Sequence, residues 1–194
     1  PSAWSSIHLS QACNLSATED SWTNQNDGVF GLGSKRGTNY GSDQTMNVNS
    51  DGSDMWVKFD PQSSGSNCSQ ISAPLPSTAV IEGTPTVSIY NSSPTSYNRN
   101  ISIDRVTASW SEGSITYNNR PATTGSDEGM TSSQNSGYRT FNVTAASVNL
   151  QRTNATRFGW RLHDTGGNIL SSNSDWRTSE SSAATPPLLI LVFY

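Results

Sequence analysis

The thirteen residues from Ser109 to Pro121, SWSEGSITYNNRP, hold a dense set of side chains able to do chemistry. Trp110, Glu112, Tyr117, Asn118, Asn119 and Arg120 could form a sugar subsite. An aromatic face would stack on a pyranose while amides and a guanidinium bind hydroxyls. Glu112 could instead be a catalytic acid. A third reading makes the stretch only a hairpin and its turns. Glycoside hydrolysis needs two carboxylates across the scissile bond. The chain has five glutamates, Glu19, Glu82, Glu112, Glu128 and Glu180. Glycine follows Glu112 and Glu128, so both read as turn residues. His8 and His163 are the only histidines, and no GxSxG elbow accompanies them. No catalytic residue is expected, and the chain is read as non-enzymatic.

Metal and redox chemistry is equally thin. Cys13 and Cys68 show no CxxC or Cys/His spacing for zinc. Paired, they would close a loop of about 55 residues, worth about 4 kcal/mol in the chain-entropy account. Such a bond implies an oxidising compartment. The alternative is two buried thiols, and the polar segment SSGSNCSQ around Cys68 favours the bond. NVNSDGSD, from Asn47 to Asp54, has some likeness to a calcium loop. Lys58 stands where the bidentate Glu should be, so an EF-hand is excluded. A looser calcium site on Asp51 and Asp54 stays open, and a plain hairpin turn is the better reading. No other cofactor is expected.

Short runs with the strand period of two must position these residues. TMNVNS leads through DGSD to MWVKFD as a hairpin. AVIEGTPTVSIYN is one long strand or two short ones, with Gly83 and Pro85 at a bulge. NISIDR, GYRTFNV and RFGWRLHD are further strands. PPLLILVFY is apolar throughout, which predicts a strand covered on both faces. TAASVNLQR predicts at most one short helix, capped by Thr144. Strands with polar turns and no alternating helices make the fold class all-β, an antiparallel β-sandwich.

Hydrophobic residues are 32% of the 194 and charged ones 13%. With 35 Ser and 20 Thr, the core must be economical. The net charge of −4 with no basic run excludes nucleic acid as an expected partner. No run approaches the ~20 apolar residues that span a bilayer, so no membrane insertion is expected. The chain starts at Pro1 rather than Met, as a processed secreted protein would. Sequons stand at Asn14, Asn67, Asn91, Asn100, Asn142 and Asn154. Six is close to what 18 Asn in so Ser/Thr-rich a chain give by chance.

TNYGSDQTMNV, MWVKFD, ISIDRVTASWSEGSITYNNRP, YRTFNVT, FGWRLHDT and PPLLILVFY, in that order and spacing, resemble the DNRLRE-type, or disaggregatase-related, surface modules. Part of that group is classed as carbohydrate-binding modules for acidic polysaccharides. The likeness covers about residues 17–194, with Tyr117 where Trp is usual. It implies a jelly-roll sandwich, a non-catalytic role and an extracellular, cell-surface or secreted location. The family's ligand residues are not fixed by motif, so none is carried over.

Residues 17–194 are therefore read as one domain and residues 1–16 as a strand-like extension. Two functions follow. In the first, the chain is a structural subunit of an extracellular filament. Its extension, anchored by Ile7 and Leu9, adds a strand to the sandwich edge of the next copy, head to tail. In the second, it is a carbohydrate-binding module for wall or matrix polysaccharide, with Tyr117 and Arg120 as candidate sugar contacts.

Overall fold

The computed structural model describes residues 10–25, 33–49, 52–62, 75–94, 99–125, 128–132, 135–165 and 174–194. The strands are β1 (Gln11–Thr23), β2 (Thr45–Val48), β3 (Asp54–Phe59), β4 (Ile81–Ser93), β5 (Asn100–Arg105), β6 (Gly129–Ser132) and β7 (Gly137–Asn142). After a short helix, α1 (Ala145–Leu150), come β8 (Trp160–Asp164), β9 (Ser174–Arg177) and β10 (Leu188–Phe193). Every paired neighbour is antiparallel. Thr144 caps α1 by accepting a hydrogen bond from the Ser147 N–H, as its sequence predicts.

The strands form two sheets. One contains β2, β9, β4, β10 and the first half of β1, with β7 on the other edge of β4; the second runs β1–β3–β8–β5–β6. Between them lies one apolar core. Met46, Val87, Ile89, Phe141, Trp176, Leu189 and Leu191 come from the first sheet. Met55, Val57, Phe59, Ile101, Ile103, Trp160 and Leu162 come from the second. The fold is the antiparallel β-sandwich that the alternating runs imply.

β1 belongs to both sheets. Gln11–Ser16 pairs with β10, and Ala17–Thr23 pairs with β3 across an irregularity between Ala17 and Glu19. Before the irregularity the odd positions Cys13 and Leu15 face the core; after it the even Trp22 does. One extra residue flips the strand's parity and bends it from sheet to sheet. The expected boundary between residues 16 and 17 therefore falls inside one continuous strand. Residues 11–16 are part of the protein's own sandwich, because Cys13 and Leu15 bury their side chains in its core.

Two expectations are corrected. TMNVNS and MWVKFD do not pair along their length: Asn49 bridges Ser53, then β2 joins β9 and β3 joins β1 and β8. Asn49 and Ser53 thus stand where the chain passes from one sheet to the other. β10 is covered on one face only; Leu189, Leu191 and Phe193 are buried while Val192 is 38% exposed. Tyr117 opens a single 3-10 turn, Tyr117–Asn119. β4 is one strand, and Gly83 has φ +64 where its register against β10 shifts between Ile190 and Val192.

A loop held on the outer face and its ionic surroundings

The segment between β5 and β6 crosses the outer face of the second sheet. A small apolar cluster fixes it there: Trp56 of β3, Val106 and Ile115, with Trp110 and Phe158 packed against them. The Trp110 indole N–H donates to the Phe158 carbonyl at 2.7 Å. Lys58 lies 4.6 Å from the Trp110 ring centre and bonds the Trp110 carbonyl and Glu19. Among the described tryptophans none is exposed: Trp22, Trp56, Trp160 and Trp176 are buried and Trp110 is half-buried. An exposed indole platform for sugar is thus not offered by the described residues.

Within the loop, Ser111 accepts from the N–H groups of Ser114 and Ile115, closing the expected turn. Asn119 then folds back, its amide oxygen taking the Thr116 N–H at 2.6 Å and its NH2 reaching the Ser114 carbonyl. Arg120, held extended by Pro121, has φ −55 and ψ 143. Its guanidinium sits 3.6 Å from the Tyr117 ring centre and donates to the Tyr117 carbonyl at 2.7 Å. Arg36 places a second guanidinium 4.7 Å from the same ring, and its carbonyl accepts from Asn118 N–H. Tyr117 is 7% exposed. It cannot offer its face to a sugar; it is the ring on which two cations rest. Arg120 itself is exposed.

Beside the loop, Arg161 of β8 grips Asp104 through Nε at 3.1 Å and Nη2 at 2.9 Å. Asp54 stands 3.7 Å from the same guanidinium. Burial pushes the Asp54 carboxyl up to about 6, although Arg161, His163 and Arg120 all pull it down. Asp51 lies outside the described residues. Asp54 faces a guanidinium rather than an oxygen-lined hollow, which argues against the calcium loop.

Glu112 sits at the centre of a different set. Its N–H donates to Glu19 and its carboxylate accepts from the Asp20 N–H at 3.2 Å. Asp20, fully buried on β1, accepts from the Ser179 N–H at 2.9 Å. One oxygen each from Asp20, Glu112 and Glu180 lies within 4.8 Å of the others. Burial pushes Asp20 up to about 7; the Ser179 hydrogen bonds oppose this and the charges of Glu180 and Glu112 reinforce it. Glu112 is raised too, mainly by burial. The pair does not suit glycosidase chemistry, because Asp20 has no exposed surface for a substrate to reach. Glu128 is elsewhere, accepting the Thr144 N–H, and Glu82 accepts from the Ser10 hydroxyl. His163 is on β8; His8 lies outside the described residues.

The other expected residues scatter. Asn14, Asn100, Asn142 and Asn154 are exposed, whereas Asn91 is fully buried and leaves no room for a glycan. Asn67 and Cys68 lie outside the described residues, as do Ile7 and Leu9, the expected anchors of strand exchange. Cys13 is fully buried. A cleft of about 530 Å³ beside α1 is lined by Gln62, Val80, Asn149 and Arg152. Arg152, the one cation among its described lining residues, donates to the carbonyls of Ser77 and Ala79. Sequence reasoning missed Asp20 and Arg36. Asp20 left a signal: a carboxylate two residues before Trp22, on the core-facing parity of a strand. Arg36 left none, because only the fold brings it to Tyr117.

Among the described residues no helix is long and apolar enough to cross a membrane. Residues 11–192 match the description Carbohydrate-binding module family 96. No curated protein matches the chain.

Proposed function

The chain belongs to carbohydrate-binding module family 96, and from that premise we propose that it binds an acidic polysaccharide outside the cell without cleaving it. The supporting observation is the pair of guanidiniums on Tyr117. Arg120 is tied to the Tyr117 carbonyl and stacked on its ring, so little of its freedom remains to be lost on binding. Lys35, next to Arg36 in the chain, is exposed and adds a further positive charge. A planar guanidinium matches a carboxylate with two parallel N–H donors. A polyuronate repeats that carboxylate along its length and can engage several cations at once. Asn118, exposed between the two arginines in the fold, supplies donors and acceptors for hydroxyls. Tyr117 is a positioning residue, and Arg120 and Arg36 are the contacts.

Native affinity electrophoresis through polygalacturonate and through a neutral β-glucan tests this. The full chain is expected to be retarded by the polyuronate alone, less so at high salt. Arg120→Ala is expected to weaken retardation about tenfold, the loss of one charge-assisted contact. Equal retardation of the wild type and Arg120→Ala would sink the assignment of the site. Retardation by neither gel would sink the substrate class.

A further inference from the structure

We propose that Asp20, Glu112 and Glu180 form a site for a hard divalent cation of the calcium type. The three carboxylates come from three separate segments: β1, the loop between β5 and β6, and the turn between β9 and β10. One oxygen from each lies within 4.8 Å of the other two. Two Ca–O bonds end to end span about 4.6–5.2 Å, so a single ion can reach all three. An acidic cluster alone would not suffice, since exposed acids commonly gather without an ion. The independent observation is Asp20 Oδ1. The residue is 0% exposed, and this oxygen has no hydrogen-bond partner. Its sister oxygen accepts from the Ser179 N–H at 2.9 Å, and the Ser179 hydroxyl also bonds the carboxyl group. A buried carboxylate oxygen left without a donor is costly, and coordination is one way to satisfy it.

The charge of Lys58 acts on Glu112, but its ammonium bonds elsewhere. Lys58 is held 2.8 Å from Glu19 and by the Trp110 carbonyl. Glu112 is already aimed: its carbonyl is held by Asn39 at 2.6 Å, its N–H by Glu19 and its Oε1 by the Asp20 N–H. Glu180 Oε1 accepts from the Ser179 hydroxyl at 2.8 Å. All donors are oxygens, which suits calcium and disfavours thiophilic or imidazole-seeking metals. A bound ion would pin the loop that carries Arg120 to β1, but the inference stands on the carboxylates and not on polysaccharide binding.

The test uses the full chain stripped with chelator, then titrated with terbium(III) and with calcium up to about 1 mM, the affinity range of extracellular modules. Expected are saturable tryptophan-sensitised terbium luminescence, its displacement by calcium, and a melting temperature raised by calcium. Glu180→Gln, an exposed change that leaves the core intact, is expected to weaken binding about ten- to a hundredfold. Glu112→Gln is expected to do the same. No sensitised luminescence and no thermal shift in the wild type would overturn the proposal. So would wild-type affinity in both variants.

Discussion

The side-chain amide of Asn39 donates to the carbonyls of Glu112 at 2.6 Å and Ile115 at 2.8 Å. One residue before Tyr40, in the NYGS turn, it thus holds both ends of the SEGSI turn. Gly41 completes the fit, for a Cβ there would lie 2.3 Å from the Glu112 carbonyl oxygen. The NYGS and SEGSI segments, far apart in sequence, are therefore halves of one contact.

Gly41→Ala is expected to destabilise the protein by about 1–3 kcal/mol, the range for overpacking. The contact atom is backbone and cannot swing aside. Urea denaturation reads the change, and an unaltered midpoint would show that the two turns do not meet this closely. Gly113→Ala is the control, because nothing lies within 4 Å of its added Cβ.

Asp54 predicts an acid-side pH dependence. Its folded value, about 6, is above the ordinary aspartate value of 3.8. The folded state therefore holds the proton more tightly than the unfolded chain. The stability from this group is fully present below pH ~4 and is lost as pH rises to about 6, a change of about 3 kcal/mol. Arg161, His163, Arg120 and Asp104 all face it. Asp54→Asn should reduce the slope over that interval, leaving the part due to Asp20, and keep the variant at least as stable as wild type at pH 7. Thermal melts across pH 4 to 7 check this, and an unchanged slope in the variant would refute it.

Cys13 and Cys68 are predicted to be joined. The described residues contain no free cysteine, and Cys13 is fully buried among core residues. Thiol titration of denatured, unreduced protein should find none, and two after reduction. The bond's loss in Cys68→Ser should lower stability by about 4 kcal/mol. Two titratable thiols before reduction would contradict the pairing.

Glycan occupancy should follow exposure rather than sequon count. In a glycosylating host, peptide mapping is expected to find sugar on some of Asn14, Asn100, Asn142 and Asn154 and never on the buried Asn91. A folded, glycosylated Asn91 would contradict the packing of β4.

The sequence by itself determined β2 to β5, β7, β8 and β10, the short helix with its Thr144 cap, and the sandwich class, but not β1, β6 or β9. Those follow from local terms: period-two burial, turn residues and caps, each decided within a few residues. It also marked SWSEGSITYNNRP as a turn-bearing segment rather than an active site. Tertiary structure alone decided what those side chains do. The parity flip in β1 turned Asp20 inward beside Trp22, so a polar residue of the alternating run became a buried carboxylate. Arg36 reached Tyr117 and Glu180 reached Glu112 only because loops distant in sequence converge on one sheet. Pairings of that kind depend on register and loop closure, which no local pattern encodes.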